Sequence, residues 1–310
     1  MSPSGALARG VVASAPGRLA LAGAGSGPRL SVALDRRASC RVETVPAGVV
    51  IESKDSLTTS TGGDVAELLA RMPDSPVAHV LHLLGSPTGL RVVTEWKLPQ
   101  GSGVDGDSAL AVATTAALAH ALGRAPQEQE LLETAREAVA RAGRTEEHGF
   151  HAALWGGVVL TRGGGPALYA ERLDVDPGRI DESLMLVDAG EAPAVGADTE
   201  RRPDAKGDAA LPGRIGEALA GGRYEDVVAL LAEESDTDGA LGGTAQRRVA
   251  LVVRGAGGAA RPLRQGRLVA VWAPPGAHGP GRREAVQAAL QAAGLKSLPV
   301  RMDLRGLELE

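Results

Sequence analysis

Between residues 9 and 54, apolar positions alternate with polar ones or gather in short runs, at Val11-Val12, Leu19 to Leu21, Leu30 to Leu34 and Val49 to Ile51, with Gly, Pro and Ser between them. That rhythm predicts several short strands. The period then lengthens: Val65, Leu68 and Leu69, then Val77, Val80, Leu81 and Leu84, keep helical spacing on either side of a break at Pro73 and Pro76. Residues 88 to 97, TGLRVVTEWK, return to strand and lead into a glycine-rich loop. From Asp107 to Leu122 the chain is apolar nearly all round, which predicts a helix buried on most sides. Residues 127 to 142 read as an amphipathic surface helix with Leu131, Leu132, Ala135, Ala138 and Val139 on its inner face.

Strands are expected near 156 to 162, 167 to 173 and 183 to 189. Residues 191 to 212 are polar and loop-like, and mark a surface excursion or hinge. Helices at 213 to 220 and 223 to 234 precede a second loose stretch, 235 to 246. VALVVRGAGGAA then reads as strand and glycine turn, and LVAVWAPP, residues 281 to 293 and LPVRMDL as strand, helix and strand. Alternation of this kind predicts a mixed α/β second domain. No internal repeat of solenoid or propeller period is present.

At 310 residues the chain is long enough for two cores, since single cores stop growing near roughly 250 to 300 residues. A net charge of −5 spread along the chain offers no basic face, so neither a nucleic acid nor a membrane surface is an expected partner. Aromatic residues make up only 2%, too few for a platform that stacks bases or sugar rings. The first residues lack a basic segment followed by an apolar run, and a cytoplasmic location is expected. Cys40 is the single cysteine, in an alternating run, and reads as a small buried residue. The histidine pairs His79/His82 and His148/His151 lack a third ligand in sequence and do not predict a metal site.

The stretch LPQGSGVDGDSALAVATTAALAHAL, residues 98 to 122, joins a glycine loop to the buried helix. Such a junction makes a phosphate cradle, because free N–H groups and the positive end of the helix dipole face the loop. Yet this loop carries Asp105 and Asp107. Either carboxylate repels a phosphate: at about 4 Å and an effective dielectric near 20 the cost is on the order of 4 kcal/mol. Asp107 is the expected N-cap of the helix, its carboxylate filling the seat a phosphate would take. A rival reading makes Asp107 or Asp105 a direct magnesium ligand, the ion's double charge cancelling that repulsion.

Three segments together resemble the ordered motifs of the GHMP kinase superfamily. These are Ala15-Pro16-Gly17-Arg18 running to Gly23, then Pro99 to Gly103 leading into Ser108-Ala109-Leu110, and last Gly255-Ala256-Gly257-Gly258. HAALWGGVVL (151 to 160) and LMLVDAG (184 to 190) extend the resemblance over most of the chain. It implies a two-domain α/β (α+β) protein, with a ribosomal-S5-like N-terminal domain over 1–180 and a ferredoxin-like C-terminal domain over 181–310. It also implies ATP and Mg²⁺ as cofactors. Gly101, Ser102, Gly103, Asp105, Gly106, Asp107, Ser108, Gly255, Gly257 and Gly258 would line the nucleotide, Asp107 and Glu137 would hold the metal, and Arg18 would sit near the transferred phosphoryl group.

Departures from the motifs are concentrated where chemistry would occur. Asp105 stands where the resemblance implies glycine, and Gly106 and Asp107 stand where it implies serines. The aspartate implied just before the Ala-Ala and Gly-Gly segment falls on Gly149. His148, with Glu146 and Glu147 beside it, is the candidate replacement base, and Arg18 in an inactive protein is expected to pair with Asp107 or lie solvated. The leading expectation is therefore a catalytically impaired relative of small-molecule kinases, a pseudokinase acting in binding or scaffolding. The alternative is a working ATP-dependent kinase acting on a sugar, a sugar phosphate or a (phospho)mevalonate-like acceptor.

Overall fold

The computed structural model describes residues 10–23, 27–98, 102–144, 148–163, 168–190, 209–237, 243–263, 266–276 and 281–310. The first half of the chain forms β1 (Val11–Ala22), β2 (Arg29–Thr44), β3 (Val49–Ser53), β4 (Thr58–Gly62), α1 (Val65–Arg71), α2 (Pro76–Leu83), β5 (Leu90–Trp96), α3 (Asp107–Ala121) and α4 (Glu128–Arg141). There follow α5 (Gly149–Trp155), β6 (Val158–Arg162), β7 (Tyr169–Leu173), α6 (Pro177–Ser183) and β8 (Leu184–Asp188). The rest comprises α7 (Leu211–Ala220), α8 (Tyr224–Thr237), α9 (Thr244–Gly255), β9 (Ala259–Pro262), β10 (Leu268–Trp272), α10 (Arg282–Ala292), β11 (Lys296–Leu298) and β12 (Glu308–Leu309).

One sheet runs β12-β1-β2-β5-β3-β4, with β6 and β7 attached at the far half of β2, and only the β3–β5 pairing is parallel. Its two long strands change register between Pro16 and Gly17, where β2 carries two extra residues opposite β1. Such an irregularity re-aims the strand. Here it separates the half of β1 under the first helical layer from the half that carries Arg18. The helical layer centres on α3, twelve of whose fifteen residues are buried among β1, β2, α2, α4 and α5. An all-round apolar sequence of alanines is what that central position requires, because neighbouring backbones approach from every side. Cys40 lies in this core, its thiol pushed up to about 12 by burial.

The second sheet is antiparallel in the order β11-β8-β10-β9. Numbered within the sheet, this is 4-1-3-2, the ferredoxin-like arrangement. Side chains alternate between its faces: Met185 and Val187 meet α9 and α10, whereas Leu184 and Leu186 join Leu19, Leu21, Leu30 and Leu160 of the first sheet. The two sheets therefore share one apolar core. After β11 the chain returns to the first sheet, where β12 pairs with β1 and the buried Arg37 donates to Asp303 at 2.5 Å and to the carbonyl of Gly306 at 2.7 Å.

Several sequence expectations need correction. VALVVRG belongs to α9 and is not a strand; Gln246, Val249 and Val253 face inward at helical spacing, while Arg247, Arg248 and Leu251 are exposed. A short run rich in valine satisfies both periods, and the polar residues upstream decide between them. LPVRMDL contributes only its first residue to β11; Met302 adds an isolated bridge to Leu34. The polar β4 and the short helices α5 and α6 span too few residues to set a period from which they could be predicted. Among the described residues no helix is long and apolar enough to cross a membrane. The loop expected at 191 to 212 lies largely outside the described residues.

Candidate functional site

The glycine loop after β5 returns to β1 and forms an antiparallel bridge with it: the Arg18 N–H donates to the Asp105 carbonyl at 3.3 Å, and the Asp105 N–H to the Arg18 carbonyl at 3.1 Å. This backbone pair aligns the two side chains. Arg18 Nε donates to Asp105 Oδ2 at 3.0 Å, and its Nη1 donates to Ser31 Oγ on β2 at 3.3 Å. The Ser108 hydroxyl donates to the same Asp105 Oδ2 at 2.6 Å. Oδ1 accepts from the amides of Asp107 and Ser108 at 3.2 and 3.4 Å. One carboxylate thus satisfies a guanidinium, a hydroxyl and two free amides of the first turn of α3. Arg18 is 3% exposed and Asp105 16%.

The expected cap is therefore corrected: Asp105 closes the end of α3, and Asp107 does not. The backbone enters the helix at Gly106, one residue earlier than the expected cap, so Asp107 is already inside the first turn. Asp107 pairs with Arg144, from the segment after α4. Burial pushes the Asp107 carboxyl up; Arg144 opposes that, and neighbouring Asp105 reinforces it. Arg18, expected to pair with Asp107 in an inactive protein, pairs with Asp105 instead.

Trp96, at the end of β5, is the residue that sequence reasoning missed. Its indole lies against both Gly17 and Gly106, where a β-carbon would overlap the ring at either position. The two glycines give the tryptophan room to wedge the start of the loop against β1. A lone tryptophan two residues before Leu98 and the glycine loop is the only sequence signal for this. The opposite side of the loop is clamped by the β9–β10 turn: Gly266 packs on Ser102 and Gly103, and the Leu268 N–H donates to the Ser102 carbonyl at 3.3 Å. Buried Gln246 holds that turn through the carbonyls of Leu263 and Leu268. Gly103 has φ of 81°, which glycine alone adopts cheaply. Gly101 lies outside the described residues.

Gly149 begins α5 beside this cluster, and His148 precedes it, 1% exposed, with Nδ1 2.9 Å from Thr161 Oγ1. Burial, with Arg29, Arg18 and Arg136 nearby, brings the His148 imidazole down to about 3. It is neutral at physiological pH and shut away from solvent. Glu146 and Glu147 lie outside the described residues. Glu137 is exposed on α4 and pairs with Arg141 at 2.8 Å.

The carboxylates named as magnesium ligands are thus each committed to an arginine. Among the described residues no group of three His, Cys, Asp or Glu side chains gathers to hold a metal. A magnesium ion, which takes hard oxygen ligands, would have to displace Arg144 and Arg141 from Asp107 and Glu137.

Gly255, Gly257 and Gly258 close α9 and turn the chain into β9: the amides of Gly257 and Gly258 donate to the carbonyls of Arg254 and Val253 at 2.9 and 3.0 Å. Gly257 has φ of 83°. At Gly258 a β-carbon would lie 2.9 Å from both Val253 Cγ1 and Val286 Cγ2, on the seam between α9 and α10. Gly258→Ala should cost about 1–3 kcal/mol through overpacking, read as a lower urea midpoint. A midpoint unchanged from the parent would show that this seam has slack.

Residues 72–157 match the family model for the GHMP kinases N terminal domain. The fold matches that of a D-glycero-D-manno-heptose 1-phosphate kinase from Bacteroides thetaiotaomicron, with a TM-score of 0.77 at 18% identity over 97% of this chain and 98% of that one. Homoserine kinase from Cytophaga hutchinsonii gives 0.69 at 16% identity over 100% and 99% of the chains. Lactococcus lactis galactokinase gives 0.72 at 12% identity over 96% and 95%. No curated protein matches the sequence. The chain is GHMP-kinase-like: a mixed α/β protein with the two-domain fold of those kinases.

Proposed function

We propose that this chain is a catalytically impaired GHMP-kinase-like protein, a pseudokinase that works by binding or scaffolding and transfers no phosphoryl group. The observation that carries this reading is the Asp105 carboxylate, seated on the amides of Asp107 and Ser108 and on Arg18. Phosphoryl transfer depends on positioning and on neutralising charge over the phosphate oxygens. Here the groups suited to that task already neutralise a side chain of the protein. A phosphate brought within about 4 Å of Asp105 meets a repulsion on the order of 4 kcal/mol, about a thousandfold in affinity. The arginine-paired states of Asp107 and Glu137 point the same way, since neither is poised for the ion that would offset that repulsion.

Thermal unfolding with and without millimolar Mg-ATP tests the proposal. A nucleotide that binds the folded chain at a hundred times its dissociation constant adds about 2.7 kcal/mol, a rise of several degrees. The expected result is no rise, with or without magnesium. A clear rise would return the chain to the active kinases, with a sugar, sugar phosphate or (phospho)mevalonate-like acceptor to be sought.

A further inference from the structure

Positive charge, expected to be spread along the chain, gathers on α9. Between Asp238 and Glu284 the sequence holds eight arginines and no acidic residue. Several of them are used inside the fold: Arg267 pairs with Asp188, Arg282 pairs with Glu225, and Arg283 donates to the carbonyls of Asp181 and Leu184 at 3.4 Å. On α9 the arginines turn outward. Arg247, Leu251 and Arg254 are exposed at i, i+4 and i+7, on one face of a helix whose other face buries Val249 and Val253. Leu251 is 70% exposed between the two arginines, and the Arg247 side chain has no partner among the described residues.

The outer face of α4 is its complement. Glu130, Thr134 and Glu137 repeat the spacing i, i+4 and i+7 on the side opposite the buried Leu131, Ala135 and Ala138. The Thr134 hydroxyl donates to the Glu130 carbonyl at 2.9 Å, which leaves its methyl group as the apolar surface between the two acids. The Glu130 carboxylate has no ion-pair partner among the described residues, and Glu137 holds Arg141 only in an exposed pair that a second arginine can exchange.

We infer that α9 of one copy of this chain docks on α4 of another, Arg247 on Glu130 and Arg254 on Glu137, with Leu251 on the Thr134 methyl between them. Seven residues of either helix rise about 10 Å, so both charge pairs close together. Each copy carries both patches, so the contact is heterologous and copies join head to tail. One leucine offers too little apolar area to enter a bilayer, and a net charge of −5 opposes approach to a nucleic acid or an anionic membrane.

Sedimentation equilibrium of the full chain over a range of concentrations tests this. At low salt the mean mass should rise with concentration; in about 1 M salt, where charges are screened beyond about 3 Å, it should return to that of a single chain. Arg247→Glu and Glu130→Lys should each weaken association about tenfold or more, and the chain carrying both reversals should recover most of it, since the pair is restored with its signs exchanged. Leu251→Ser should weaken association about threefold and leave its salt dependence in place. All three positions are exposed, so the unfolding midpoint of each variant should match the parent. A single-chain mass at every concentration, or a double reversal no better than either single one, would overturn the inference. So would capture of a DNA duplex or of phosphatidylserine vesicles by the parent chain that Arg247→Glu abolishes, because the face would then belong to a polyanion.

Discussion

Asp105→Ala is expected to lower the stability of the chain by about 3–5 kcal/mol, while Asp107→Ala changes it by about 0–1 kcal/mol. The two aspartates are two residues apart and of identical chemistry, so the contrast reports their surroundings. Asp105 faces a guanidinium that is 3% exposed, and removing it takes a counter-charge from that group along with the acceptor of the Ser108 hydroxyl and two helix amides. Loss of an N-cap alone is worth about 1 kcal/mol; the buried arginine makes up most of the rest. Asp107 and Arg144 are 38% and 45% exposed, and solvent replaces the partner of each when the other is removed. Equilibrium denaturation of the two variants checks the prediction. Equal effects would mean that the Arg18–Asp105 pair does not tie the loop to β1.

Stability should fall as the pH drops below about 6.5, and His148 should be a main cause. Its imidazole is held down to about 3 in the folded chain, while the unfolded chain takes up a proton near 6.5. Its contribution is therefore complete above 6.5 and declines through the window between the two values. The slope is about 1.4 kcal/mol per pH unit, or roughly 3 kcal/mol lost by pH 4.5. His151, brought down to about 4 by burial and by Arg136, acts in the same direction and by less, because solvent reaches it. Asp107 and Asp181 oppose the trend in the carboxylate range, since burial raises both and the folded chain holds their protons more tightly there. In His148→Gln the acid limb of the stability profile should flatten between pH 6.5 and 4.5. An unchanged limb would mean that other groups govern acid unfolding.

Much of the fold is readable in local pattern, because α4 and the strands around it each carry one clear period over enough residues and α3 is a long, unbroken apolar run. α9 is not, since VALVV by itself fits strand or helix and only Gln246 and the arginines before it settle the matter. The candidate site divides in the same way. A glycine loop entering an alanine-rich helix with two aspartates in it announces a compromised anion site. Which aspartate closes the helix depends on where the chain turns, and that is set from afar by the bridge to Arg18, 87 residues earlier, and by Trp96 wedged between Gly17 and Gly106. Arg144 as the partner of Asp107 is likewise a product of tertiary packing that no local period encodes.

The central claim is that the protein's own acid occupies the amides at the head of α3. Crystals grown or soaked with millimolar non-hydrolysable ATP analogue and magnesium test it directly. The account predicts density for the Asp105 carboxylate on the Asp107 and Ser108 amides and none for phosphate there. Phosphates resting on those amides, with Asp105 swung aside or bridged to them through a metal, would contradict it.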